Sequence, residues 1–118
     1  MNKKLSKFFN LEINNYINAV KLKKISEAWI FLERAHILSQ FYWKEHFYIH
    51  FRMLILALNT FDFREIVGQL PRLLLAIPGS LLRKAPKGNV GTTRVGIFEP
   101  MPIPEDLKRI LDFNEKND

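Results

Sequence analysis

An all-α fold is expected from this sequence, and three of its features predict it. Apolar residues recur at three- and four-residue steps through four successive segments, the period of an α-helix. Phe, Leu and Ile dominate over Val, with ten Phe, a balance that favours helix packing. A chain of 118 residues that is 47% apolar can also bury a core without metals or disulfides to hold it. The expected architecture is a small four-helix bundle-like domain spanning residues 1–118. It has a helical core over about 3–82 and an irregular docked tail over about 83–118.

The first helix is carried by Leu5, Phe8, Phe9, Ile13, Tyr16, Ile17 and Val20. It runs into Lys21, Lys23 and Lys24, cations that suit a helix C-terminus. Ser26 and Glu27 start the second helix, where Ala28, Trp29, Leu32, Ala35, His36 and Ser39 share a face, and it runs out near Gln40. The third helix begins at Tyr42 or Trp43 and continues to about Asn59. Its expected inward stripe is Trp43, Phe47, His50, Leu54, Ala57 and Leu58. After a turn, Asp62 is a natural N-cap, with Glu65 completing a capping-box pattern. The fourth helix carries the apolar period Phe63, Ile66, Val67, Leu70, Leu73, Leu74 and Ile77. Pro71 should kink that helix, with Gly68 adding looseness, and Pro78-Gly79 should end it.

From Arg83 onward, Gly and Pro leave little room for regular structure until a short helix from Pro104 to about Phe113. Phe98, Met101, Ile103, Leu107 and Leu111 are the residues expected to dock this tail on the bundle.

Several function classes are excluded or disfavoured. With no cysteine, the chain has no disulfide, no thiolate metal site and no Cys nucleophile. The charged start Met1-Asn-Lys-Lys resembles that of a signal peptide. Asn10, Glu12, Asn14 and Asn15 break the apolar run that should follow. The longest uncharged apolar stretch, Met53 to Leu58, falls far short of the ~20 residues that span a bilayer. A cytoplasmic location is therefore expected. The net charge of +6 gathers at Lys21, Lys23 and Lys24 and at Arg83, Lys84, Lys87 and Arg94. These runs read as solvated helix ends and a basic tail, so nucleic acid is not the expected partner.

One constellation could carry chemistry. If the second and third helices form an antiparallel hairpin turning near Phe41, His36 faces His46, and Glu33 falls opposite Ile49 and His50. Glu33 and His36 are three apart and His46 and His50 four apart, spacings that share a helix face. All three histidines and one carboxylate then converge. Imidazoles and a carboxylate are a ligand set for one divalent transition ion: Zn, Fe, Mn, Ni or Cu. The Glu-x-x-His element of di-metal bundles occurs only once, which leaves a mononuclear site. Two other readings stand beside this one. Arg34, Gln40, Gln69 and Arg72 could join the cluster in a buried structural network, or the cluster could do acid–base chemistry without metal. A cation at Arg72, at the height of His50, favours the network.

Glu65 reads as a cap and Met53 as core. Gly88, Asn89 and Gly91 offer a permissive backbone without the strand and helix of a phosphate loop; Asn89 reads as a turn residue or a hydrogen bond to the bundle.

Taken together, Phe31-Leu-Glu-Arg-Ala-His-Ile-Leu-Ser-Gln40, His46-x-x-x-His50, Met53-Leu54, Gly68-Gln69, Arg72, Pro86-x-Gly-Asn-x-Gly91 and Pro100-Met-Pro-Ile-Pro104 resemble the bacterial domain of unknown function 3703. The resemblance runs from about Ala28 to Leu111, and Glu33 to Ile37 is its most specific part. Val90 departs from the family's usual Gly-Asn-Thr-Gly, and Pro71 is unusual. The resemblance implies a bacterial source and a compact helical domain, and no activity. Two functions are carried forward: a helical metal-binding protein, and a helical module that binds another protein or a second copy of itself.

Overall fold

The structure, a computed structural model, describes residues 1–117, with no account of the Asn117 side chain. The fold is all-α, with five helices: α1 (Lys3–Lys21), α2 (Ile25–Ser39), α3 (Trp43–Asn59), α4 (Phe63–Leu81) and α5 (Glu105–Asn117). α1 pairs with α2, α2 with α3 and α3 with α4, while α5 lies against α1 and α2. Among the described residues α4 packs on no helix but α3, so the row does not close on itself.

Local sequence explains the helix ends. The side chain of Asn2 caps α1 through the Leu5 N–H, and Asp62 caps α4 through the Glu65 N–H. α1, α3 and α4 each stop at a residue in the left-handed region, Lys23, Phe61 and Arg83. The next amide reaches back to the final turn in each case: Lys24 to Ala19, Asp62 to Ala57 and Lys84 to Gly79. α4 passes through both Pro71 and Pro78 and ends at Leu81, beyond the expected stop at Pro78-Gly79.

The first two helices bury most of what their periodicity predicts, although Ile17 and Val20 at the end of α1 are exposed. Phe9, Ile13, Tyr16 and Ala19 of α1 meet Ala28, Leu32 and Ala35 of α2 and Ile49, Met53 and Leu56 of α3. α3 is rotated from its expected stripe: His46, Ile49, His50, Met53, Leu56 and Ala57 are inside, whereas Trp43, Phe47 and Leu58 are exposed.

In α4 the apolar period and the buried positions largely differ. Its buried residues are Glu65, Gln69, Ala76 and Ser80. Phe63, Val67, Leu70, Leu74 and Leu81, spaced to share one face, point outward, with Leu74 80% exposed. The physical reason is that the inner face of α4 meets the histidines of α3 as well as the tail, Gln69 and Ser80 facing His50 and His46. An irregular backbone has carbonyls and amides to satisfy, and it selects polar side chains opposite it.

Polar side chains of the bundle and of the tail itself fix its course. Gln40 donates to the Pro86 carbonyl and accepts from the Gly88 amide, both at 2.8 Å. Asn89 donates to the carbonyls of Gly96 (2.9 Å) and Glu99 (2.7 Å). Arg72 donates to Val95, Gln69 to Gly91 and Arg64 to Thr93, all to carbonyl oxygens. Val90 and Leu107 join Leu5, Ile37 and Leu38 in a second apolar cluster, with Met101, Ile103 and Leu111 packed around it. Phe98, expected to dock, is 74% exposed.

Candidate metal centre

α2 contributes His36, and α3 contributes His46 and His50 one turn apart; all three are buried. Their Nε2 atoms form a nearly regular triangle. His36 to His46 is 3.0 Å, His36 to His50 is 3.1 Å and His46 to His50 is 3.2 Å. Each Nδ1 points away, to a partner that fixes where the ring proton sits.

The proton positions follow from those partners. His36 Nδ1 lies 2.7 Å from the Asn89 carbonyl, which can only accept. His50 Nδ1 lies 2.8 Å from Gln69 Oε1. The Gln69 amide is fixed in that sense because its nitrogen donates to Glu65 Oε2 at 3.0 Å and to the Gly91 carbonyl at 2.9 Å. His46 Nδ1 lies 2.8 Å from Ser80 Oγ, whose single proton goes to the Gln40 carbonyl at 2.6 Å. Every Nδ1 therefore carries a proton and every neutral Nε2 carries a lone pair. Three lone pairs face one another with no proton among them.

A proton shared inside the triangle is disfavoured by the surroundings. Burial lowers His46 to about 4. Burial, then the neighbouring His46, lowers His50 to about 3, with the nearby Arg72 acting in the same direction. His36 is held well below its usual value by burial and by His50 and His46. At neutral pH all three rings are neutral.

The spacing suits a metal ion. At metal–imidazole bonds of ~2.0–2.1 Å, nitrogens lie roughly 3.3 Å apart around a tetrahedral ion and about 2.9 Å apart between neighbouring octahedral positions. The observed 3.0–3.2 Å falls between these values.

Glu33 stands outside the convergent group, which consists of His36, His46 and His50. Its Oε2 accepts from Thr92 Oγ1 at 2.5 Å and from Arg94 Nε at 2.8 Å, so the tail claims it. Arg34 is elsewhere too, holding Glu12 at 2.9 Å and pairing with Asp106. Gln69 touches the triad directly. Gln40 reaches it through its own carbonyl and Ser80, and Arg72 donates to the carbonyls of Gly68 and Val95.

Gly88, Asn89 and Gly91 form the wall beside His36. At Gly91 (φ 86°), a Cβ would meet the His36 ring at 2.6–2.8 Å, so only glycine lets the loop press on the imidazole. Gly88 (φ 82°) has the Met101 carbonyl where a Cβ would go.

Sequence reasoning missed Ser80 and gave Glu65 only a capping role. Glu65 accepts from the Thr93 amide at 2.7 Å, from the Thr93 hydroxyl at 2.5 Å and from Gln69. A signal was available: Glu65, Gln69, Ala76 and Ser80 fall on one face of a helix otherwise rich in Leu.

The triad lies on the wall of a cavity of about 220 Å³. Arg72, Leu75, Leu82, Lys84, Ile97 and Phe98 line it as well.

No curated protein and no solved structure gives a significant match to the chain. The family model described as "Protein of unknown function (DUF3703)" matches residues 3–111, nearly the whole chain with both histidine helices and the tail loop, and the chain belongs to that family.

Proposed function

We propose that the protein binds one divalent transition-metal ion through the Nε2 atoms of His36, His46 and His50. One observation carries this reading: three mutually close imidazole lone pairs, each ring held in the Nδ1–H tautomer by a partner on its far side. A structural network would place protons between these nitrogens, and the proton count leaves none for them. Imidazole donors suit Zn, Cu, Fe and Ni better than Mn, whose preference is for oxygen ligands. Three neutral ligands do not saturate a tetrahedral or octahedral ion, and the remaining coordination would face the cavity. Gln69 and Ser80 would act as orienting groups, with Glu65 behind Gln69 making the His50 imidazole a better donor.

The test is elemental analysis of tag-free protein purified without chelator. The expected result is about one equivalent of a transition metal, lost in the His36→Ala, His46→Ala, His50→Ala variant while its helical circular dichroism persists. Parent protein that holds no metal after reconstitution with each candidate ion would sink the proposal.

A second reading concerns assembly and is compatible with the first. The outward apolar face of α4, formed by Phe63, Val67, Leu70, Leu74 and Leu81, runs the length of the helix, with no charged side chain among these positions. A face of this kind is an association surface in a water-borne protein. A second copy supplies the same stripe, and two α4 helices crossing about a two-fold axis would cover both. No helix among the described residues is long and apolar enough to cross a membrane, and we place the protein in the cytoplasm.

A further inference from the structure

We propose that the cavity takes a small organic carboxylate with an apolar body, its anionic end on the metal and its body against the cavity wall. The inference rests on the metal reading above and deepens it by naming the class of ligand.

Charge gives the first half. Three neutral imidazoles leave a bound dication with both of its charges. Among the described residues no carboxylate lines the cavity, while Arg72 and Lys84 do. The two buried carboxylates nearby are already engaged: Arg94 pairs with Glu33, and Glu65 is held by Gln69 and Thr93. Arg72 itself donates only to the neutral carbonyls of Gly68 and Val95, and its Nε is buried without a partner. A loaded site therefore carries positive charge that Glu65, acting on Arg72, offsets only in part, and an anion completes it.

Shape gives the second half. The wall away from the histidines is apolar: Leu75, Leu82, Ile97 and Phe98. Three of these are well exposed, Leu75 at 43%, Leu82 at 65% and Phe98 at 74%, so an apolar body seated there removes their surface from water. The volume of about 220 Å³ equals roughly seven liquid-water volumes, room for a molecule of fewer than about ten heavy atoms. Hydroxide or chloride would balance charge and leave this wall wet.

Cobalt(II)-loaded full-length protein provides the test, because its visible absorption reports both metal uptake and any change in coordination. Acetate, butanoate and hexanoate are titrated in turn, with hexanol as the uncharged control. The expected result is a spectral change with each carboxylate and none with hexanol. Affinity should rise several-fold per added methylene, up to the roughly fourfold of complete burial. In Leu82→Asn the chain-length dependence should flatten while the cobalt spectrum stays unchanged. In Arg72→Gln carboxylate affinity should fall at least tenfold. Cobalt uptake without a response to carboxylates, or with affinity independent of chain length, overturns this proposal and spares the metal site. Failure to take up cobalt at all overturns both.

Discussion

Gln69 shows how one side chain can decide what its neighbour does. Its amide nitrogen is committed to Glu65 and Gly91, so its oxygen has to face His50, which fixes the ring's proton on Nδ1. Gln69→Leu removes that acceptor. Metal affinity, read by competition with a coloured chelator, is expected to fall about 10–100-fold with the three histidines intact. Unchanged affinity would mean that the ring needs no such guidance. The same burial that keeps the rings neutral makes the metal-free protein acid-sensitive. His46 titrates at about 4 and His50 at about 3 when folded, against ~6.5 when unfolded. The unfolded chain therefore binds more protons below pH 6.5, and stability is lost as pH falls from about 6.5 through the folded values. His46 alone accounts for on the order of 3 kcal/mol. The urea midpoint of chelated protein should be clearly lower at pH 5 than at pH 7.5. Equal midpoints would show that the rings are not buried neutral.

α4 is the element whose role differs most from what its composition announces. Periodicity identified the apolar period of this helix, and most of it faces outward in the structure. The rule that apolar faces turn inward presumes that the inward neighbour is another apolar helix. Here the inward neighbours are the histidines of α3, which meet Gln69 and Ser80, and a Gly- and Pro-rich strap whose amides and carbonyls require Glu65, Gln69 and Arg72. Where helix meets helix, in α1 and α2, the same rule placed Leu5, Phe9, Ile13, Leu32 and Ala35 correctly. It also brought His36 to His46 and His50, since a short antiparallel hairpin leaves few registers. Glu33 meets Thr92 and Arg94, which lie about 60 residues away in sequence, where no local spacing reaches. If α4 mediates self-association, light scattering should give twice the chain mass of 13.9 kDa. Leu74→Lys, at the most exposed position of the stripe, should return the protein to a monomer with unchanged helicity. A parent that is monomeric at tens of micromolar would remove this reading.

For the molecule as a whole, the tail is part of the interior and not a covering added to a finished bundle. α5 anchors it from outside, with Leu107 fully buried and Asp106 paired to Arg34, which also binds Glu12 of α1. Gly91, pressed on the His36 ring, makes the loop a wall of the site. The closing consequence concerns time. The partners of the rings, Gln69, Ser80 and Asn89, all follow the histidines in the chain. During synthesis His36, His46 and His50 leave the ribosome before any group that can orient them, on a hairpin with nothing to hold its rings in register. Only after the Asn89–Gly91 loop has emerged and folded back do the three lone pairs converge. A half-made chain offers loose imidazoles to whatever ion is abundant, whereas the finished one imposes a geometry. For a metal bound as proposed, selectivity would arise only after Gly91 has been made and the loop has folded back.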